Sequence, residues 1–498
     1  MSTSTPPSAR VARILAVVAS TALAVAAVCA WGWYRAARDR VPLESLGPED
    51  RQALVQEMLA ASPGAFAPAL FEPAIGYTLR PGEEIEAWGD TFTSNELGYR
   101  TGPPGKPKRT FRVVFIGDSW TFGLGVSEAE SFPSQLEALA RQAGAAGPGG
   151  RRQVEVRNLG LPGYNTMNEL AALDFFFDRL RPDAVVICPT ANDADSASNI
   201  LPNGSLTRAG VERDGYGADH SMVFRTRLAD SYLFRTRWRA AFAGIRGLEE
   251  RLRRRGVPLL VYFAASWDEP FAHALVADAG LDAPYVVTPP GFAGPRWRNP
   301  PPWRHGTPEA NRIYARMVYN GLAELLGWPA QPKEEGAEVP VYRRGTAGDG
   351  SARAEELLRE ETRRIPESYV PGPDAEIQCV GAMDWTTGLT GKATTVLVRR
   401  RAGARRAAVT LRRLPDAPSL YPLAVRVSIP SAAGGTEAES TLPADGPGIT
   451  DLQRVVLDIP GDLPEGAALD ITIRAARAAA APGVLAPRSM YIAGIEQE

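Results

Sequence analysis

The chain has 498 residues, 44% hydrophobic and 22% charged, the proportions of an ordinary globular protein with two or three domains. Its 55 basic and 57 acidic side chains give a net charge of −2, so bulk charge does not indicate a nucleic-acid partner, and none is predicted. Three cysteines are too few for a disulfide framework, and three histidines disfavour a His-rich metal site, so neither a metal nor another cofactor is expected.

An uncharged apolar segment of 21 residues occupies positions 14–34. A membrane-spanning helix needs about 20 such residues. Basic residues flank the segment, and aromatic residues lie at its end, as at a membrane interface. We expect residues 1–40 to be a retained single-pass anchor, with the rest of the chain outside the cytoplasm. A cleaved signal peptide is the alternative, because Val28-Cys29-Ala30 is similar to a cleavage site.

Residues 41–108 are interrupted by Pro and Gly and are predicted to be a lead-in segment of short strands and turns. Residues 109–330 then alternate between buried strands and amphipathic helices. Continuous apolar runs predict four strands, at 112–116, Gln153–Asn158, Ala184–Cys188 and 257–263. Strands that alternate with helices indicate the α/β class, with a parallel sheet covered on both faces.

Four helices are predicted between and after these strands. Pro133 suits the first turn of one, and Thr166-x-x-Glu169 is typical of a capping box that begins the next. The other two are expected at 238–255 and from Thr307-Pro308 onward.

Three further regions complete the organisation. Residues 194–237 are interpreted as an insertion over the sheet edge, and residues 331–372 as a charged linker. Residues 373–498 contain runs of alternating polar and apolar residues separated by turns, which indicates a β-sandwich domain.

Polar residues follow the predicted strands where each one ends. Gly117-Asp118-Ser119 ends the first strand, Gly163 lies in the loop after the second, and Asn192-Asp193 follows the third. His305 lies just before the last helix. Because a parallel sheet places its ligand site at the carboxyl ends of its strands, we expect these residues to meet at one edge.

These residue types suit nucleophilic catalysis. A serine hydroxyl needs a base to accept its proton, and histidine is the side chain that does so near neutral pH. Ser119 is therefore predicted to be the nucleophile and His305 its base. The backbone N–H groups of Ser119 and Gly163, with the side-chain amide of Asn192, are candidates for the oxyanion hole.

With Asp118 and Asp193 as supporting residues, these four blocks resemble those of the SGNH (GDSL-type) hydrolase superfamily over about residues 110–330. The resemblance implies a flavodoxin-like three-layer α/β/α domain and esterase or lipase-like chemistry. Members of the superfamily often deacetylate or acetylate polysaccharides. The motif at residues 95–100 is similar to that of bacterial members with an N-terminal anchor, and the terminal sandwich resembles accessory modules that bind carbohydrate.

One position departs from the family pattern. The family usually has an Asp three residues before the catalytic His, where it orients the imidazole, and this chain has Pro302 there. Either a Ser–His dyad operates with a backbone carbonyl as the orienting group, or another acid substitutes. The candidate acids are Asp193, Asp195, Asp268 and Asp282.

The leading hypothesis is a serine esterase that hydrolyses acyl esters, O-acetyl groups above all, on an extracytoplasmic glycan. The same acyl-enzyme could pass its acyl group to a sugar hydroxyl, which would make the protein an O-acetyltransferase. A non-catalytic glycan-binding or assembly protein is the alternative from another class.

Overall fold

A computed structural model describes the chain in several stretches, and the predicted anchor at 14–34, Asn192, the insertion at 194–237 and Pro302 lie outside them. Within these stretches, no helix combines the length and the apolar character needed to cross a membrane. The described residues are 41–42, 69–72, 74–87, 90–100, 110–147, 153–190, 193, 238–265, 267–300, 305–332, 337–345, 350–372, 378–384, 389–415, 417–444, 452–477, 479–480 and 489–498.

The lead-in region contains short antiparallel hairpins, as its Pro and Gly punctuation predicts. β2 pairs with β3, and β4 pairs with β5. The strands of this region are β1 (Val41–Pro42), β2 (Ala69–Glu72), β3 (Gly76–Leu79), β4 (Glu84–Ala87) and β5 (Asp90–Thr93).

A five-stranded parallel sheet forms the centre of the following region. Its spatial order is β10-β9-β8-β6-β7, and all of its pairings are parallel. Counted from β6 along the chain this is the order 2-1-3-4-5, which is that of flavodoxin-like folds. The strands are β6 (Thr110–Gly117), β7 (Gln153–Asn158), β8 (Ala184–Cys188), β9 (Leu259–Phe263) and β10 (Tyr285–Val287).

Helices cover both faces of this sheet. Successive side chains of β6 enter different cores: Val114 packs with α3, α4 and α5, whereas Val113 packs with α2 and α6. A strand buried on both faces has no solvent side, which explains its continuous apolar run. The helices are α1 (Ser119–Phe122), α2 (Phe132–Gln142), α3 (Thr166–Leu180), α4 (Arg239–Arg254), α5 (Glu269–Ala279), α6 (Pro308–Leu326) and α7 (Ser351–Arg364).

Two local predictions were wrong. Helix α3 is capped by Asn165, whose side chain accepts from the backbone N–H groups of Met167 and Asn168, so Thr166-x-x-Glu169 is not a capping box. The predicted linker contains α7, which buries Leu357 in the same core as α5. Its charged residues lie on the outer face of an amphipathic helix and hide that periodicity.

The C-terminal strands form one connected antiparallel sheet of eight strands, consistent with the predicted β-sandwich. Apolar residues alternate with exposed ones, as in β14, and the inward residues build a separate core. Thr436 Oγ1 donates to the Asp458 carbonyl at 2.7 Å, which joins the two outermost strands of the sheet. The strands are β11 (Cys379–Asp384), β12 (Leu389–Arg399), β13 (Arg406–Arg412), β14 (Leu423–Ile429), β15 (Thr436–Leu442), β16 (Leu452–Asp458), β17 (Ala468–Ala475), β18 (Ala479–Ala480), which pairs with β1, and β19 (Met490–Gln497).

Arg112 is the one charged side chain inside β6, and it is fully buried. Its guanidinium donates to Glu155 at 2.8 Å and to the Leu180 carbonyl at 2.5 Å, which ties β6 to β7 and to the end of α3. Glu155 also pairs with Arg157, so the three side chains form one largely buried charge network.

We expect Arg112→Ala to lower the free energy of unfolding by about 3 kcal/mol, because Glu155 loses one of its two arginine partners, the Leu180 carbonyl loses its donor and the side chain leaves a cavity. Chemical denaturation measures this loss. Arg353→Ala is the matched control, since Arg353 pairs with Glu356 at the surface and such pairs contribute about 0.5 kcal/mol. Equal losses in the two variants would contradict the structural role of Arg112.

Candidate active site

Ser119 lies at a sharp turn between strand β6 and the short helix α1. Asp118 caps the helix by accepting from Trp120 N–H at 2.9 Å, and its other oxygen accepts from Thr190 Oγ1 at 2.8 Å. Gly117 has to be a glycine here, because a Cβ at this position would stand 2.0 Å from Thr121 Oγ1. The end of the strand therefore fixes Ser119 at the carboxyl edge of the sheet.

Arg100 of the lead-in region holds the other end of α1. Its guanidinium is buried and donates to the carbonyl groups of Phe122 at 3.2 Å, Gly123 at 3.0 Å and Val126 at 2.7 Å. Phe122 and Gly123 end α1 and Val126 lies in the turn that follows, so Arg100 ties the end of the helix to the next loop. The turn that carries Ser119 is thus clamped at both ends.

Ser119 and His305 meet in the structure. Ser119 Oγ lies 2.7 Å from His305 Nε2, although 186 positions separate the two residues in the chain. This distance is within hydrogen-bond reach, as proton transfer from the hydroxyl to the imidazole requires. Ser119 is 9% exposed, so it reaches the surface while the strand behind it is fully buried.

The loop that carries His305 is held by its own backbone. Asn299 N–H donates to the His305 carbonyl at 2.7 Å, and Thr307 N–H donates to the Trp297 carbonyl at 3.1 Å. The Gly306 carbonyl accepts from the side-chain amides of Asn299 at 3.1 Å and Asn311 at 2.9 Å. The two backbone bonds form an antiparallel bridge between Arg298 and Gly306, which holds His305 just before the start of α6.

Trp120 packs beside the imidazole. Its ring centroid lies 4.9 Å from that of His305, and the guanidinium of Arg298 lies 4.3 Å from the centroid of the Trp120 ring. Trp120 is buried, so it limits rotation of the histidine ring by contact. No role is predicted for Trp120 from the sequence, although its position directly after the predicted nucleophile is a signal that could have found it.

The loop after β7 runs beside the nucleophile. Leu161 N–H donates to the Gly117 carbonyl at 3.3 Å, and Asn158 Nδ2 donates to the Thr121 carbonyl at 2.6 Å. Gly163 follows with a φ of 84°, a left-handed conformation that favours glycine. This brings Gly163 to the edge at which Ser119 lies. Asn192, the third predicted oxyanion donor, is outside the described residues, so its role stays a prediction.

Asp193 joins two other buried carboxyl groups behind the nucleophile. Asp193 Oδ2 accepts from Thr190 N–H at 2.7 Å, and the Thr190 hydroxyl donates to Asp118. Glu169 of α3 lies against the same group and is fully buried. The cluster was not predicted, because Glu169 was interpreted as a helix cap; it is instead the fourth helical residue after the Asn165 cap, where it points inward.

One proton is held in this cluster. Burial, followed by the charges of Asp193 and Asp118, raises the pKa of Glu169 well above its usual range. Neither Glu169 oxygen nor Asp193 Oδ1 meets a donor among the described residues, and carboxylates cannot donate to each other. A proton on Glu169 supplies that donor, whereas Asp193 already accepts from a backbone N–H. Burial and the charge of Asp118 also raise the pKa of Asp193, but the bonds from Thr190 N–H and from Glu169 oppose that shift, so Glu169 is the neutral member of the pair.

Two of the acids proposed to orient His305 have other partners. Asp193 is bound within the buried cluster, and Asp282 pairs with Arg246 at 3.3 Å and Arg344 at 2.6 Å. Asp195 is outside the described residues. Asp268 follows the end of β9 at the carboxyl edge and precedes α5, so it stays a candidate beside the dyad.

Trp267, which follows β9, is not available to stack on a sugar ring. Trp267 is buried and packs edge-on against Trp238 and Phe263. Its indole N–H donates to the Ala264 carbonyl, so the polar atom of the ring is satisfied inside the core. Trp297 is half-buried against Phe292. Over the described stretches no group of His, Cys, Asp and Glu has the arrangement of a metal site.

Residues 115–324 match the sequence model of the GDSL-like Lipase/Acylhydrolase family. This segment is therefore a GDSL-like domain with the SGNH α/β hydrolase fold, and the match supports an ester hydrolase. No curated protein matches the chain.

Several solved structures are similar to the chain at low identity. TesA is 16% identical and covers 43% of this chain and 99% of its own, with a TM-score of 0.29. A lipase/acylhydrolase from Enterococcus faecalis is 17% identical and covers 45% and 100%, with a TM-score of 0.28. A two-domain esterase (CEX) active on acetylated mannans is 11% identical and covers 78% and 91%, with a TM-score of 0.29. TM-scores of this size support no conclusion about function.

The buried proton predicts how stability depends on pH. The folded protein keeps the Glu169 proton above the pH at which an unfolded Glu, with a pKa of about 4.3, releases it. Between the pKa of Glu169 in the unfolded chain and its higher pKa in the folded protein, the free energy of unfolding therefore falls as pH rises, by about 1.4 kcal/mol per pH unit for one proton. We expect Glu169→Gln to reduce this slope, which urea unfolding from pH 4 to pH 9 measures; the raised pKa of Asp193 contributes the remainder. Glu250→Gln, at the surface of α4, controls for loss of a carboxyl group, and a Glu169→Gln slope equal to that of wild type would contradict the assignment.

Proposed function

We propose that the protein hydrolyses acyl esters through a covalent acyl-enzyme on Ser119, with His305 as the base. The observation that carries this proposal is the 2.7 Å contact between Ser119 Oγ and His305 Nε2 at the carboxyl edge of the parallel sheet. A hydroxyl that touches the imidazole can lose its proton as it attacks, which turns a weak nucleophile into a strong one.

In the first half of the reaction, Ser119 Oγ attacks the ester carbonyl carbon and His305 Nε2 takes its proton. The carbonyl oxygen becomes an oxyanion, which the N–H groups of Ser119 and Gly163 and the amide of Asn192 stabilise. The intermediate collapses, the C–O bond to the alcohol breaks, and His305 returns the proton to the leaving oxygen. Ser119 then carries the acyl group.

In the second half, water replaces the alcohol. His305 accepts a proton from water as the water oxygen attacks the acyl carbon, and the same donors hold the second oxyanion. When this intermediate collapses, the acid leaves and Ser119 regains its proton. Each half moves one proton out and one proton back, so the imidazole ends neutral.

Within the proposal, His305 works in a dyad. The bonds that the Asn299 backbone N–H and the Asn311 side-chain amide donate to its loop fix the position of the residue, and Trp120 restricts the plane of its ring. Pro302 stands where the family usually has an Asp, so a backbone carbonyl takes over the orienting role. Asp118 and Asp193 lie near the nucleophile, but both accept hydrogen bonds from Thr190.

For the substrate we propose an O-acetyl ester of a glycan outside the cytoplasm, with residues 14–34 as a membrane anchor. The family resemblance supports the substrate class, because its members often deacetylate polysaccharides. The apolar segment at 14–34 and its aromatic end support the location. Transfer of the acetyl group to a sugar hydroxyl uses the same acyl-enzyme and differs only in whether water enters the site.

The chemistry is tested by ester hydrolysis with protein that lacks residues 1–40. We expect release of acetate from an aryl acetate, and a loss of kcat/KM by a factor of about 1,000 or more in both Ser119→Ala and His305→Ala, since each removes one member of a unit that acts together. His273→Gln is the control, because His273 contacts Tyr285 instead of the site and activity should persist. Hydrolysis by Ser119→Ala at the wild-type rate would refute the proposal.

The substrate is tested separately with O-acetylated polysaccharides. We expect wild-type protein to release free acetate from them, and Ser119→Ala to release none. Acetyl groups that appear on an added oligosaccharide instead of in solution would identify the transferase. Activity on aryl acetates together with none on any acetylated polysaccharide would exclude the glycan substrate while leaving the esterase chemistry intact.

A further inference from the structure

Tyr77 of the lead-in region contacts the peptide group that carries the Gly163 N–H. Its hydroxyl donates to the Pro162 carbonyl at 2.7 Å, and the residue is 2% exposed. The Pro162 carbonyl and the Gly163 N–H belong to one peptide group, so whatever holds the oxygen also holds the nitrogen. Tyr77 lies in β3, outside the residues 115–324 that match the family.

The peptide group in question is the centre of a tight turn. Tyr164 N–H donates to the Leu161 carbonyl at 3.1 Å, which closes a four-residue turn, with Pro162 and Gly163 at its two central positions. Proline at the first and a left-handed glycine at the second, here with φ of 84°, are the features of a type II turn. The central peptide of such a turn can rotate to the type I orientation, which would reverse the direction of the Gly163 N–H.

The direction of this N–H follows from the carbonyl bond. In a trans peptide the C=O and N–H bonds point to opposite sides. With the oxygen turned inward to Tyr77, the Gly163 N–H faces away from the lead-in core. Gly163 N–H has no acceptor among the described residues, and neither has Ser119 N–H. Two unsatisfied donors at one sheet edge suit a ligand that brings negative charge.

Tyr77 is itself held in place from two sides. The Tyr164 hydroxyl donates to the Tyr77 carbonyl at 2.5 Å, and the Tyr99 hydroxyl lies 2.9 Å from that of Tyr164. The rings of Tyr77 and Tyr164 meet edge to face at 5.1 Å. Asn168 Nδ2 also donates to the Ile75 carbonyl at 2.7 Å, which ties the β2–β3 hairpin to α3.

We propose that Tyr77 is a positioning residue of the oxyanion hole, holding the Pro162–Gly163 peptide so that the Gly163 N–H faces the substrate carbonyl at Ser119. This inference rests on the proposed function. The hydrogen bond to the carbonyl oxygen prevents the peptide from rotating and draws electrons away from the nitrogen, which makes the N–H a stronger donor. Tyr77 never touches the substrate.

The experiment compares Tyr77→Phe with Tyr99→Phe and Ser119→Ala. Tyr77→Phe keeps the ring and removes the bond to Pro162. Tyr99→Phe removes a buried hydroxyl from the same cluster without touching the Pro162–Gly163 peptide, so it matches the loss of stability. For each variant, kcat and KM for an aryl acetate and the inhibition constant of an alkyl boronic acid are measured. The boronate forms a tetrahedral adduct on a serine and occupies the oxyanion hole.

We expect Tyr77→Phe to lose about tenfold in kcat, the lower part of the range for removing an oxyanion donor, with KM within about twofold. The inhibition constant of the boronate should rise by the same factor as kcat/KM falls. Tyr99→Phe should keep all three constants while its melting temperature falls as far as that of Tyr77→Phe. Titration with an arylphosphonate counts the active sites, so a partly unfolded sample lowers the number of sites and leaves kcat unaffected.

Two results would overturn the inference while leaving the proposed function in place: an inactive Ser119→Ala with a fully active Tyr77→Phe, or equal losses of kcat in Tyr77→Phe and Tyr99→Phe. The second result would make the tyrosine cluster purely structural. Hydrolysis by Ser119→Ala at the wild-type rate would instead remove the proposed function and this inference with it.

Discussion

The contact between Ser119 Oγ and His305 Nε2 joins two loops that are 186 positions apart in the chain, and the surrounding structure serves to keep them in register. A hydroxyl and an imidazole that are each free to rotate would rarely meet, because every rotatable bond multiplies the unproductive arrangements. On one side, Gly117, Asp118 and Arg100 fix the turn that carries the serine. On the other, the backbone bridge between Arg298 and Gly306 fixes the loop that carries the histidine.

Much of this arrangement can be predicted from the sequence, because long buried strands leave a clear pattern. The apolar runs of β6, β7, β8 and β9 predict the sheet, and the rule that parallel strands share a carboxyl edge predicts that Ser119, Gly163 and His305 lie at that edge. Strand β10 has three residues and β15 has polar residues facing outward, so neither leaves a pattern that is strong enough.

The parts that could not be predicted depend on contacts between distant segments. Glu169 was assigned to a helix cap because the local spacing fits one, whereas its burial beside Asp193 and Asp118 depends on how α3 packs on the sheet. Tyr77 lies 85 positions from Pro162, and a tyrosine in a short strand gives no local sign of its partner. Local patterns therefore locate the reacting groups, while the groups that support them emerge only from the packed structure.

The lead-in hairpins share one core with the helices of the catalytic region. Ile75, Tyr77 and Tyr99 are buried together with Leu173 of α3 and Val114 of β6. A fragment cut at residue 115, where the family match begins, would lose these side chains and expose the apolar surface that they cover. The smallest part of this chain that folds as an esterase is thus larger than the segment that matches the family. Transfer of that segment alone into another protein would omit side chains of its hydrophobic core.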